Sequence, residues 1–338
     1  MTEPPRAGAD DPRTDERRSA LERESLSGRR LAVLTALVVN VAIAVAKAGA
    51  AVVTGSSAML AEALHSTADS VNEVLLLVGA RRANRPADLR HPFGHARYRY
   101  LYAFVVSLAV FWIGGVLSVI EGVNHVFGRE PLVDPRWAFG VLAVAAVLEG
   151  WSLRTTVLAW RGAKGQLSWR RLLRDTKAPE LIVVFLEDLG AIVGVGIAAL
   201  GLVLTTFTGD GAWDAMASIA IGLLLMAIGL VVNRETQSLL VGEAAAAEVV
   251  TVIRDAIAST EGVDGVRELR TIHIGPDDLV VAAGIWVGPR RSAASISRSI
   301  EEAERRVQVV APFRTIVTIE PRVRDADQPK GETADPAK

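Results

Sequence analysis

The chain has 338 residues, is 50% hydrophobic and carries a formal net charge of −1. That near-neutral balance excludes the broad basic surface by which proteins hold nucleic acid. The absence of cysteine excludes disulfide frameworks and thiolate metal sites as well. Residues 1–29 mix Asp11, Asp15, Glu16, Glu22 and Glu24 with arginines, a pattern that fits neither a secretory signal nor an acid-poor transit peptide. They are expected to form a disordered cytoplasmic tail.

Crossing a bilayer takes about 20 apolar helical residues. Runs of that order lie near Leu31–Val53, Ala58–Gly79, Tyr100–Phe127, Trp137–Trp160, Leu181–Phe207 and Ala212–Val232. Their uninterrupted length and Gly/Ala content argue against a soluble helical bundle. Arg17, Arg18, Arg23, Arg29 and Arg30 precede the first run. Arg81, Arg82, Arg85, Arg90, Arg97 and Arg99 link the second to the third, and Arg161, Lys164, Arg170, Arg171, Arg174 and Lys177 the fourth to the fifth. The third-to-fourth link has only Arg129 and Arg136, and the links around Gly55 and Gly209 have no basic residue. The positive-inside rule then places both termini in the cytoplasm, with Trp137, Trp160 and Trp213 near span ends as an aromatic belt. The expected membrane domain is residues 30–239, with six transmembrane helices.

From about residue 240 the pattern changes. Ala244–Ser259 reads as an amphipathic helix, Gly265–Ile274 and Leu279–Val287 as strands around a Gly-Pro-Asp-Asp turn, Ser292–Val310 as a helix and Thr315–Glu320 as a strand. That order predicts a small cytosolic α+β domain of ferredoxin-like type over residues 240–321. Residues 322–338 are expected to be a second disordered tail.

The second run places His65 and Asp69 four residues apart, on one face of a helix. An imidazole and a carboxylate so arranged begin a transition-metal site. An acid at a membrane helix centre costs roughly 2.5–3.5 kcal/mol, so the pair calls for a function. The helical rise of about 1.5 Å per residue brings Asp69, Glu187 and Asp188 of the fifth run, Glu149 of the fourth and Asn40 of the first to similar depth. Taken singly, each has a plainer role. His65 alone reads as a hydrogen-bonded interior histidine, Glu187 as a partner for Lys47, Glu149 as a neighbour-contacting group or proton carrier, and Asn40 and Asn72 as interhelical hydrogen bonders. Only their combination favours a ligand site. His91 and His95 present two readings as well: an accessory metal site, or a turn shaped by Pro92 and Gly94 in which the histidines bond backbone, the latter preferred. His273, with Asp277 and Asp278 nearby, is a weak signal for metal in the last domain.

The stretches TGSSAMLAEALHSTADSVNEV and HPFGHARYRYLYAFVVSLAVFWIGGVLSVIEGVNHVF resemble the second-span and third-span regions of the cation diffusion facilitators, a family of divalent-metal exporters. LEDLGAIVGV and EGWSL look like its divergent subgroup that includes the mitochondrial zinc transporter of animals. The resemblance covers roughly residues 30 to 320. It implies a homodimeric secondary transporter that exports a metal from the cytoplasm in exchange for protons, in a bacterial inner membrane, with no prosthetic group. It also implies a transport site in which His65 and Asp69 supply the second-span half and Asp188 the last position of the fifth-span half. There the chain departs from the family: the position four before Asp188 is Val184, which cannot bind metal. Glu187, Glu149 and water are candidates for the missing ligand. One imidazole with two or three carboxylates suits Zn²⁺ and tolerates Mn²⁺, Fe²⁺ and Co²⁺. The competing readings are a transport-inactive metal sensor or scaffold, which Val184 keeps open, and a channel without proton coupling. No nucleophile–base pair or phosphate-binding loop points to an enzyme.

Overall fold

A computed structural model of the chain describes residues 37–128, 132–164 and 178–323. Both expected tails, save Arg322 and Val323, lie outside these residues, as do the start of the first run, Arg129, and Arg170, Arg171, Arg174 and Lys177 of the basic link. The helices are α1 (Leu37–Thr54), α2 (Ser57–Ala83), α3 (Tyr98–Phe127), α4 (Arg136–Lys164), α5 (Pro179–Thr208) and α6 (Ala212–Val241). Five of them are long and apolar enough to cross a membrane. The exception is α2, which has the length, 27 residues, but carries Glu62, Asp69 and Glu73.

Local chemistry sets the ends. Ser56 caps α2 by accepting from the Met59 amide, and Arg81 and Arg82 sit in its last turn, where the helix dipole favours cations. Pro179 opens α5, where a missing amide proton costs nothing. Gly209, at φ 72°, ends it in the left-handed region that glycine enters without strain. Helix α6 runs on to Val241, past the expected end at Val232, because Asn233, Arg234 and Glu235 end its apolar run without breaking its hydrogen bonding. Within α3, Val110–Val116 forms a π-helical turn. Its Gly114 and Gly115 lie against Leu225 and Met226 of α6. Small residues allow such close approach in lipid, where packing rather than hydrophobicity joins helices. Helix α6 is the centre of the bundle: 44% of its most apolar window is buried, against 11% for α4, which therefore lies at the periphery.

After Gly242 come α7 (Ala247–Ala258), β1 (Gly265–Gly275), β2 (Asp278–Val287), α8 (Ala293–Val310) and β3 (Arg314–Val323). The sheet order is β1-β2-β3, with β1 antiparallel and β3 parallel to β2. A parallel neighbour requires a crossover, and α8 provides it. Alternate residues of β2, Leu279, Val281, Ala283, Ile285 and Val287, are buried in one core with Ile253 and Ile257 of α7 and Ala303 and Val307 of α8. One layer of helices thus covers one face of the sheet. Strand β3 pairs through Arg322 and Val323, beyond the expected strand end at Glu320. Pro321 does not stop it, since an edge strand need not donate on its outer side.

Candidate functional site

The stripe Glu62, His65, Ser66, Asp69 and Glu73 follows from helical spacing along α2. His65 is 1% exposed, and its Nδ1 lies 3.4 Å from Asp69 Oδ1, just beyond a sound hydrogen bond. Neither ring nitrogen of His65 has a hydrogen-bond partner among the described residues, and the same holds for Asp69 Oδ1. Unsatisfied buried polar atoms are uncommon in folded proteins, and each calls for a physical explanation.

A cavity of about 850 Å³ lies beside them. Its walls include Asn40 of α1, Asp69 and Glu73 of α2, Glu149 of α4, and Glu187 and Asp188 of α5. Its lining follows α2 from Ser66 to Ala80 and takes in Arg99 and Glu180 at the first turns of α3 and α5. The cavity therefore runs from mid-bundle toward the end that carries the sheet domain. At the opposite end the starts of α6 and α2 are tied together. The buried Asp214 carboxylate of α6 accepts from Ser56 Oγ (2.5 Å), Ser57 N (2.6 Å), Ser57 Oγ (2.9 Å) and Ala58 N (3.2 Å) at the start of α2.

Each acid has its own support. Asn72 Nδ2 donates to Glu187 Oε1 at 2.5 Å, and Asn40 Nδ2 to Glu73 Oε2 at 3.3 Å, so both asparagines join helices. Ser152 Oγ and Thr156 Oγ1 of α4 donate to the two oxygens of Asp188 at 2.8 and 2.6 Å. The weighed pairing of Lys47 with Glu187 does not form. Lys47 Nζ instead donates to Glu62 Oε2 (2.8 Å), Ser66 Oγ (2.9 Å) and Glu149 Oε1 (2.6 Å). Depth alone could not make this assignment, because it carries no information on which way around the helix a side chain points. Glu62 went unremarked in the sequence, although its spacing of seven from Asp69 puts it on the same face. Val184 lines the cavity one turn before Asp188 and leaves that wall apolar.

Among the described residues, only Asp88, His91 and His95 bring three ligand-type atoms within 4.8 Å of one another. The intramembrane acids stand further apart, so an ion in the cavity would draw side chains inward. The Asp88 cluster is also a turn. His91 N donates to Asp88 Oδ1 at 2.6 Å, His95 Nδ1 lies 3.1 Å from the Pro86 carbonyl, and Gly94 takes φ 82°. The backbone amides of His91 and, less, Arg90 hold the Asp88 carboxyl below its ordinary value. Turn and cluster are thus one arrangement rather than alternatives. In the sheet domain, His273 is fully buried edge-on to Phe313, 4.8 Å between ring centres, whereas Asp277 is exposed beside Arg99 and Asp278 pairs with Arg314.

A bundle of membrane-length helices around an acid-lined internal cavity is an integral membrane protein that can take a small cation into its interior. Residues 33–241 match the family of the cation efflux transmembrane domain, and the chain belongs to that family, the cation diffusion facilitators. It is 30% identical over 227 residues to the "Proton-coupled zinc antiporter SLC30A9, mitochondrial" of Xenopus laevis, covering 66% of this chain and 40% of that protein. The chain thus spans well under half the length of that relative. "Metal tolerance protein C4" of Arabidopsis thaliana is 26% identical over 247 residues, covering 72% of this chain and 54% of its own. A solved C-terminal domain of MamM is 22% identical and aligns with 23% of this chain and 94% of its own, at a TM-score of 0.22.

Proposed function

We propose that the protein exports divalent metal, zinc foremost, from the cytoplasm in exchange for protons. The observation that carries this reading is the cavity: Asp69, Glu149, Glu187, Asp188 and Asn40 reach it from four helices, with the unpartnered His65 beside Asp69. Hard carboxylate oxygens and one borderline imidazole are the donor set of zinc, with manganese, iron(II) and cobalt as lesser cargoes. Such groups bind metal only when deprotonated, so protons and metal compete for the same atoms. That competition suffices to couple their flows. The naming of SLC30A9 as a proton-coupled zinc antiporter supports the same assignment.

In this reading α2 also crosses the membrane, its acids facing the bundle interior, which makes six spans. The sheet domain is ferredoxin-like and cytosolic, both termini are cytoplasmic, and the membrane is a bacterial inner membrane. The cavity then opens to the cytoplasm while the Asp214 clamp closes the far side, a cytoplasm-facing state of an alternating-access cycle. The protein works as a homodimer, as the resemblance implies. Asp88, His91 and His95 form an accessory cytoplasmic metal site near the cavity mouth.

Purified chain in liposomes should take up zinc in step with counter-movement of protons. His65→Ala, Asp69→Ala and Asp188→Ala should each abolish that flux in protein that still inserts. Flux that ignores a pH gradient would make the protein a channel, and the absence of any flux would make it a sensor or scaffold.

A further inference from the structure

The site as described leaves two charged side chains without a task. Lys47 and Glu62 are both fully buried. Burying an ammonium costs several kcal/mol unless its protons and charge are matched. A residue that served only to tie α1 to α2 would need one acid, yet Lys47 holds two and a hydroxyl, spending all three of its protons. The two acids are not equivalent. Glu62 packs on α5 where Gly194 leaves room, since a Cβ at Gly194 would collide with Glu62 Oε1. Glu149 lines the cavity with Asp69, Glu187 and Asp188. Its Oε1 is tied to Lys47, while its buried Oε2 has no hydrogen-bond partner among the described residues.

We propose that Lys47 is a positioning residue for the cation site: it grips one oxygen of Glu149 so that the other is presented to the ion, and Glu62 anchors Lys47 from the far side. This rests on the reading of the cavity as a cation site. A glutamate side chain has three rotatable bonds and on its own would sample many rotamers. Tied to a lysine that is itself held at three points, it keeps one. Metal sites commonly rely on partners of this kind, which orient ligands without touching the ion. The need is greatest here because Val184 leaves α5 a donor short, and Glu149 on the neighbouring α4 is placed to supply the missing oxygen.

Equilibrium zinc binding by the full chain in nanodiscs, with thermal unfolding of each sample, tests this. Lys47→Met should weaken zinc binding about 10–100-fold, the range for groups that orient metal ligands, and Glu149→Gln at least as much. The double variant should bind no more weakly than Glu149→Gln alone, because Lys47 then has nothing left to orient. Losses that multiply in the double would mean independent effects and overturn the proposal. So would a Lys47→Met protein that melts earlier yet binds zinc as wild type does, since that marks a structural tie only. If Lys47→Met does not fold, Lys47→Met/Glu62→Gln leaves one buried acid without a cation instead of two, and carries the same comparison. Asp69→Asn separates the layers of the argument. Binding lost in Asp69→Asn but kept in Glu149→Gln sinks the role of Lys47 and leaves the cavity reading intact. Wild-type protein that binds no zinc, or that binds it regardless of both acids, sinks both.

Discussion

Val184 stands on the cavity wall where a second imidazole would complete a His-x-x-x-Asp pair with Asp188. Val184 lines the cavity rather than the packed core, so a larger side chain there can point into it. Val184→His should therefore tighten zinc binding about tenfold, or about 1.4 kcal/mol. Unchanged affinity in competition with a chromophoric chelator would show that this wall does not face the ion. Asp214 makes the opposite case, a carboxylate whose work is structural. Removing it strands four donors at the buried start of α2, at about 1–3 kcal/mol for leaving such groups unsatisfied. Asp214→Ala should melt several degrees below wild type in detergent; an unshifted melting curve would show that water replaces the carboxylate. At this scale the sequence was legible where spacing decides. His65 and Asp69 follow from a period of four, and Asn40, Glu149, Glu187 and Asp188 from equal depth. Lys47 shows the limit: which of several acids it meets depends on helix rotation, and no one-dimensional pattern carries that.

Among the elements, the seam between α3 and α6 is the one most tightly specified by residue size. A Cβ on Gly222 would fall 2.7 Å from the Gly115 carbonyl oxygen and 2.8 Å from the Val119 amide nitrogen, both backbone atoms that cannot swing aside. Gly122 meets Ile219 and the Ala215 carbonyl in the same way. Overpacking of this kind costs about 1–3 kcal/mol. Gly222→Val should lower the unfolding temperature and reduce the folded yield. Gly196 on α5 is the control: a Cβ there meets nothing within 4 Å, so Gly196→Ala should be neutral or slightly stabilising, because alanine is the better helix former. Equal effects at the two positions would mean that close packing is not what joins these helices. The sequence marks these glycines but not their partners. It also gives no sign of the π turn at Val110–Val116, whose Gly114 and Gly115 lie against α6. Element type in the sheet domain was legible throughout, since alternation in β2 and the helical period in α8 are strong signals.

For the molecule as a whole, Arg99 is one of the side chains that join its two parts. Its guanidinium pairs with Glu180 at the start of α5, and Nη1 donates to Asp277 at 3.3 Å on the β1–β2 turn. The sheet comes so near that a Cβ on Gly275 would fall 2.5 Å from Ala96 Cβ. Arg99 and Glu180 also line the cavity, so one side chain touches its mouth, α5 and the sheet domain together. The two halves of this bridge differ in strength. Asp277 is 74% exposed, and exposed pairs are worth about 0–1 kcal/mol, whereas Glu180 is three-quarters covered and holds its partner in a less watery place. Asp277→Asn should then leave the unfolding temperature of the chain nearly unchanged. Glu180→Gln should loosen the first turns of α3 and α5 together, seen as faster amide exchange over residues 98–102 and 180–184. Exchange that rises in α3 alone would show that Arg99 does not hold α5, and contacts such as Gly275 against Ala96 and Gly242 against Ile272 would then carry the junction.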